Sequence, residues 1–90
     1  AAIIQERDDW QKYLDQWEGA TLRLALAQEL KTLQQQRYEE NQRLLRRGRT
    51  TTNDVIQGEQ DLDDAALNVY STIIELITIY ESAPFFYINR

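Results

Sequence analysis

Apolar residues recur along this chain in alternating steps of three and four. In the first half they are Trp10, Tyr13, Trp17, Ala20, Leu24 and Ala27. In the second they are Val55, Leu62, Ala66, Val69, Ile73, Leu76, Tyr80 and Ala83, with polar Glu59 filling one slot. That spacing keeps one stripe of a helix turned towards one neighbour, as along the seam of a coiled coil. A further set, Leu14, Leu22, Leu26, Leu30 and Leu33, widens the first stripe. Ile74, Ile77 and Ile79 make the later turns of the second apolar almost all round. Stripes this wide predict packing against more than one neighbour. Between Gln34 and Gln42 the pattern thins to Tyr38 among Gln, Glu and Arg, which marks a wetter stretch.

From Ile3 to Arg47 only Gly19 opposes a helix, at a cost of about 1 kcal/mol relative to alanine. Gly48 then suits the left-handed position that follows a helix C-terminus. Thr51, with Asp54 three residues later, has the form of a capping box opening a second helix. Pro84 predicts an end at Ala83, leaving Phe85-Phe86-Tyr87-Ile88 as a short apolar tail. The fold expected is all-α: a long antiparallel two-helix hairpin, coiled-coil-like, in one domain over 1–90. Helix 1 covers about 3–47, the turn 48–52, helix 2 about 53–83 and the aromatic tail 84–90. At 1.5 Å per residue the arms are roughly 65 and 45 Å long. A short connection makes them antiparallel neighbours. Two helices enclose little interior, so Trp10, Trp17, the Ile-rich second arm and the tail leave more apolar surface than a solitary hairpin should expose. Self-association, or burial in a larger parent, is expected.

Composition narrows the chemistry. Among 90 residues there is no cysteine and no histidine, so disulfides, thiolate sites and the commonest general base are absent. A formal charge of −5 argues against a general binder of nucleic acid or anionic membranes. No apolar run approaches the roughly 20 residues of a membrane span. The opening Ala1-Ala2-Ile3-Ile4-Gln5-Glu6 carries no initiator methionine, basic n-region or apolar signal core, and reads as the middle of something longer. Glu39 and Glu40 lack any further ligand at metal spacing. No nucleophile with an adjacent base and no paired carboxylates in a pocket are visible, so neither enzyme activity nor a cofactor is expected.

At the turn the residues resemble a known family. Gly48, the run Asp54-Val55-Ile56-Gln57-Gly58-Glu59, then Leu62 and Ala65, Tyr70 and a continued Leu/Ile helix are similar to the outer-membrane efflux channels (the TolC-like family). There a glycine marks the periplasmic turn, an Asp-Val-Leu-type triplet opens the returning helix, and a Leu-x-x-Ala step follows. Arg37-Tyr38 through Gly48 resembles the incoming helix, so the likeness covers residues 37 to 83, about half the chain; the earlier part of helix 1 agrees in periodicity alone. The resemblance implies one tip-bearing hairpin of a trimeric channel. Its helices line a periplasmic tunnel continuous with an outer-membrane barrel, and its tips receive a periplasmic adaptor (membrane fusion) protein. It implies a place in the periplasmic part of a Gram-negative outer-membrane protein, serving efflux or type I secretion. By position, Arg46, Arg47, Gly48, Arg49, Thr50 and Thr51 match the adaptor-docking turn, and Asp54 matches an aspartate at the tunnel mouth. The chain departs from the family pattern at Leu45 (a tyrosine there), Gln57 (a second acid), Arg49 (an arginine one residue later) and Pro84-Phe85-Phe86.

Two other readings stand beside this one. The hairpin of the adaptor itself also has a turn with Leu, Gly and Ser/Thr, parts that Leu44, Gly48 and Thr51 could play, although Glu40 stands where that pattern wants arginine. An unrelated soluble coiled-coil module would be monodisperse in isolation. The charges have a local reading too. Arg43, Arg46, Arg47 and Arg49 close one helix and Asp54, Glu59, Asp61, Asp63 and Asp64 follow the start of the next, as helix dipoles favour. They could also cross-pair between the arms. A cationic tip would steer and orient a partner.

Overall fold

Residues without a strong helix breaker form two elements in the computed structural model, which describes residues 2–82, with side chains from residue 7 onward. Helix α1 is Ala2–Arg46 and helix α2 is Thr52–Glu81. The chain reverses between them and the arms run antiparallel, giving a rod of 69 × 18 × 15 Å. The expected hairpin is the fold found. Its boundaries differ by one or two residues at the ends: Arg47 already belongs to the turn, Thr52 already belongs to α2, and α2 stops at Glu81. The predicted stop at Pro84, the seam position Ala83 and the aromatic tail lie outside the described residues.

The seam of α1 is Tyr13, Trp17, Ala20, Leu24, Ala27, Gln34, Tyr38, Asn41 and Leu45, each buried or half-buried. The first five were expected; Trp10, expected to lead the same stripe, is exposed instead. The heptad phase then continues through the wetter stretch with polar and aromatic residues in the seam positions. On α2 one half of the seam, Val55, Leu62, Val69 and Leu76, is as expected. The other half is corrected. Gly58, Ala65, Thr72 and Ile79 face α1, where Glu59, Ala66, Ile73 and Tyr80 were expected; Glu59 and Ile73 are exposed and Ala66 is half-buried, while Tyr80, although largely exposed, still meets Trp17 of α1. Apolar content favoured Ile73 over Thr72, but closeness of approach decides. Small residues at Ala20, Ala27, Ala65 and Thr72 are, together with Val69, the most buried among the described residues. They let two backbones come together where isoleucine would hold them apart.

The buried hydroxyl of Thr72 donates to the carbonyl oxygens of Asn68 and Val69 (3.1 Å for the latter). Its polar cost is thus met inside its own helix. Across the rod Arg23 pairs with Glu75 through two hydrogen bonds, Nε to Oε2 at 3.3 Å and Nη2 to Oε1. Trp17 meets Tyr80 with ring centroids 6.5 Å apart. The aromatic trio of α1 therefore divides: Trp17 reaches α2, whereas Trp10 stacks on Tyr13 along its own helix at 5.4 Å and stays exposed.

Candidate docking tip

Two adjoining caps build the bend. The amide of Gly48 donates to the carbonyl of Leu45 (3.0 Å) and that of Arg49 to Leu44 (2.8 Å). These are the paired bonds of a Schellman motif, and they require the left-handed φ of +69° that Gly48 adopts. Three residues on, the Thr51 hydroxyl accepts from the amide of Asp54 (3.2 Å) and caps α2. The Asp54 carboxylate accepts from the Thr50 hydroxyl at 2.7 Å. This bond, with lesser contributions from the Thr51 hydroxyl and backbone, holds the Asp54 carboxyl below the usual aspartate range. One glycine and two threonines thus fix the path of the chain from residue 44 to residue 54.

Charge is displayed on that fixed frame. Arg46, Arg47, Gly48, Arg49 and Thr51 are exposed, and Thr50 is half-buried under its bond to Asp54. Arg43 does not join the tip cluster. It pairs with Glu40 one turn earlier, which lowers the Glu40 pKa and raises that of Arg43. Cross-pairing of the arginines with the acids of α2 is not what the structure shows. Among the described residues, Arg46, Arg47 and Arg49 make no ion pair. The tip is therefore a cationic knob on a doubly capped turn.

Beside the knob an open groove runs down one side of the hairpin, lined by Arg37, Asn41, Asp54, Gln57, Gly58 and Asp61. Apart from Gly58, the residues lining it are polar or charged. Its floor is Gly58, where an added Cβ would sit 3.3 Å from the Asn41 amide nitrogen and 3.7 Å from the Tyr38 ring. Asp54 thus belongs both to the tip and to this groove. Sequence reasoning placed the tip residues together, but it noted Arg37 and Gly58 only within the resemblance and gave them no place in the site. The signal was present in the heptad phase, since Gly58 precedes Leu62 by four and Ala65 by seven. Among the described residues no group of three or more acids could hold a metal ion, and no helix is long and apolar enough to cross a membrane.

The comparisons with known proteins do not extend this picture. No protein-family model, curated protein or solved structure matches the chain.

Proposed function

We propose that this hairpin is a tip-bearing periplasmic segment of a trimeric outer-membrane efflux or secretion channel, and that its bend docks a periplasmic adaptor protein. The observation that carries the reading is the bend itself. A long antiparallel hairpin ends in a turn rigidified by two caps, with Arg46, Arg47 and Arg49 displayed without ion pairs among the described residues. Such a terminus suits end-on docking, because its shape costs no ordering on binding and its charge raises the encounter rate. The resemblance of residues 37–83 to the TolC-like hairpin supplies the partner class. In this reading Asp54, kept ionised by Thr50, stands at the pore mouth of the assembled parent, where several copies would form an acidic ring.

Binding to the α-helical hairpin of a membrane fusion protein, measured by titration calorimetry, tests the proposal. Weak association is expected for the chain as it stands. Gly48→Pro abolishes it, because proline cannot adopt the left-handed φ of the turn. Arg47→Glu weakens it and slows association. Equal binding by a chain with a disrupted tip would sink the docking assignment.

A further inference from the structure

The arms are of unequal length, and the open end of the hairpin is consequently one helix thick. Tyr38 meets Gly58, Arg23 meets Glu75 and Trp17 meets Tyr80. One antiparallel register runs through all three contacts and brings Ser82 level with about Asp15. Helix α1 begins at Ala2, so roughly 20 Å of it extends past the end of α2 at 1.5 Å per residue. The seam does not stop where its partner stops. Trp10 continues the alternating steps of Tyr13, Trp17 and Ala20, and it stacks on Tyr13 with ring centroids 5.4 Å apart. Trp10 and its neighbour Leu14 are each 39% exposed. An aromatic platform thus faces the line along which α2 would have continued.

The geometry points to the chain's own aromatic stretch as the occupant of that platform: Phe85-Phe86-Tyr87-Ile88 lies back along the α1 overhang as a clasp, beginning on Trp10 and Tyr13. These four residues fall outside the described ones, so three observations about their surroundings carry the assignment. The first is reach. A chain spans at most about 3.3–3.6 Å per residue, so Phe85 to Ile88 can lie between roughly 10 and 20 Å beyond Ser82. Trp10 is about 7 Å beyond the same level, and the overhang ends near 20 Å. The second is chemistry. Residues 83–89 carry no charge and four of them are large and apolar, which matches an exposed Trp–Tyr stack rather than a solvated arm. Pro84 also turns Ala83 from the helical path, allowing the stretch to lie flat on α1 without extending α2. The third is the tether. A segment joined to α2 beside Trp17 is held at an effective concentration in the millimolar range, which a free partner must exceed to take its place. The inference is independent of the channel reading.

Fluorescence of Trp10 tests it, because the chain has only two tryptophans. In a Trp17→Phe background Trp10 is the sole indole. Adding Phe85→Ser and Phe86→Ser should raise its acrylamide quenching constant about twofold and shift its emission to the red, since large aromatic faces supply most of the cover. The difference should persist on dilution. Equal quenching with and without the two phenylalanines overturns the inference. So does a difference that disappears on dilution, because the cover would then come from another copy. Position is read separately with both tryptophans in place, using a chain that has no cysteine of its own among the described residues. Arg7 lies one turn from Trp10 on the same face, at about the distance beyond Ser82 that Phe86 can reach. Lys12 is on the far side of the helix from Trp10. A short bismaleimide should close a link within one chain in the Arg7→Cys, Phe86→Cys variant, and that product should be lost in the Lys12→Cys, Phe86→Cys variant. Equal yields from the two, or links formed only between chains, would remove the clasp even if Trp17→Phe had failed to fold.

Discussion

At Gly48 the cost of a side chain is conformational and nothing else. An added Cβ would meet no atom within 4 Å, yet the φ of +69° disfavours every L side chain. Gly48→Ala should therefore destabilise the hairpin by about 1–2 kcal/mol, with asparagine costing less because it tolerates this region. Guanidinium unfolding at one fixed protein concentration measures the difference, and an unchanged midpoint would mean the turn relaxes to another path. Asp54 gives a second residue-level prediction, with a sign fixed by its lowered pKa. A carboxyl that is more acidic folded than unfolded contributes stability above the unfolded pKa. That contribution is lost as pH falls through the folded value. Amide exchange in the first turn of α2 should thus quicken as pH drops through the acidic range, after correction for the intrinsic rate. Asp54→Asn, or Thr50→Val, should flatten that dependence. A wild-type profile that matched Asp54→Asn would remove Asp54 from the cap.

Between the two helices, small residues decide the spacing, and this sets the limit of what the sequence made legible. Gly48 and the Thr51-to-Asp54 step were readable because turns and caps are local chemistry. The α1 seam was readable through Ala27 because one apolar stripe there followed one phase. On α2 two apolar stripes run side by side, and hydrophobicity alone selected Ile73 from the outer one. The distinguishing feature was size: Gly58, Ala65 and Thr72 repeat every seven residues, as a close interface demands. Arg37 was illegible, because its role depends on which side of α1 carries the groove. Gly58 yields a test of this account. A methyl there would press on the Asn41 amide at 3.3 Å, a flexible end that can move aside, while alanine gains about 1 kcal/mol of helix propensity. The propensity term is the larger, so Gly58→Ala should be neutral to mildly stabilising in thermal unfolding. Gly58→Leu should destabilise by about 1–3 kcal/mol, because beyond the movable Asn41 amide a branched side chain runs into the Tyr38 ring and backbone, already 3.7 and 4.0 Å from a Cβ. If leucine were tolerated as well as alanine, the arms would not be in close contact at that height.

For the molecule as a whole, salt should act oppositely on its two contact surfaces. Self-association through the exposed apolar side chains would bring together chains that each carry a net charge of −5 across an apolar contact. Screening removes the repulsion and leaves burial, since the Debye length shrinks from about 10 Å at 0.1 M to 3 Å at 1 M. Any exposed ion pair formed between copies would weaken, but such pairs contribute only about 0–1 kcal/mol. Each large apolar side chain that becomes buried contributes up to roughly 1.5–3 kcal/mol. Self-assembly should therefore strengthen with ionic strength. Docking through Arg46, Arg47 and Arg49 is a matter of attraction across water, so its association rate should fall over the same range. Sedimentation of the chain alone, and stopped-flow binding to an adaptor hairpin, can follow both effects across one salt series. In the Leu26→Glu, Ile74→Glu double variant the first trend should vanish and the second remain, because both substituted positions lie far along the arms from the tip formed between Arg46 and Thr52. Two trends of the same sign would mean that one surface, and not two, accounts for both associations.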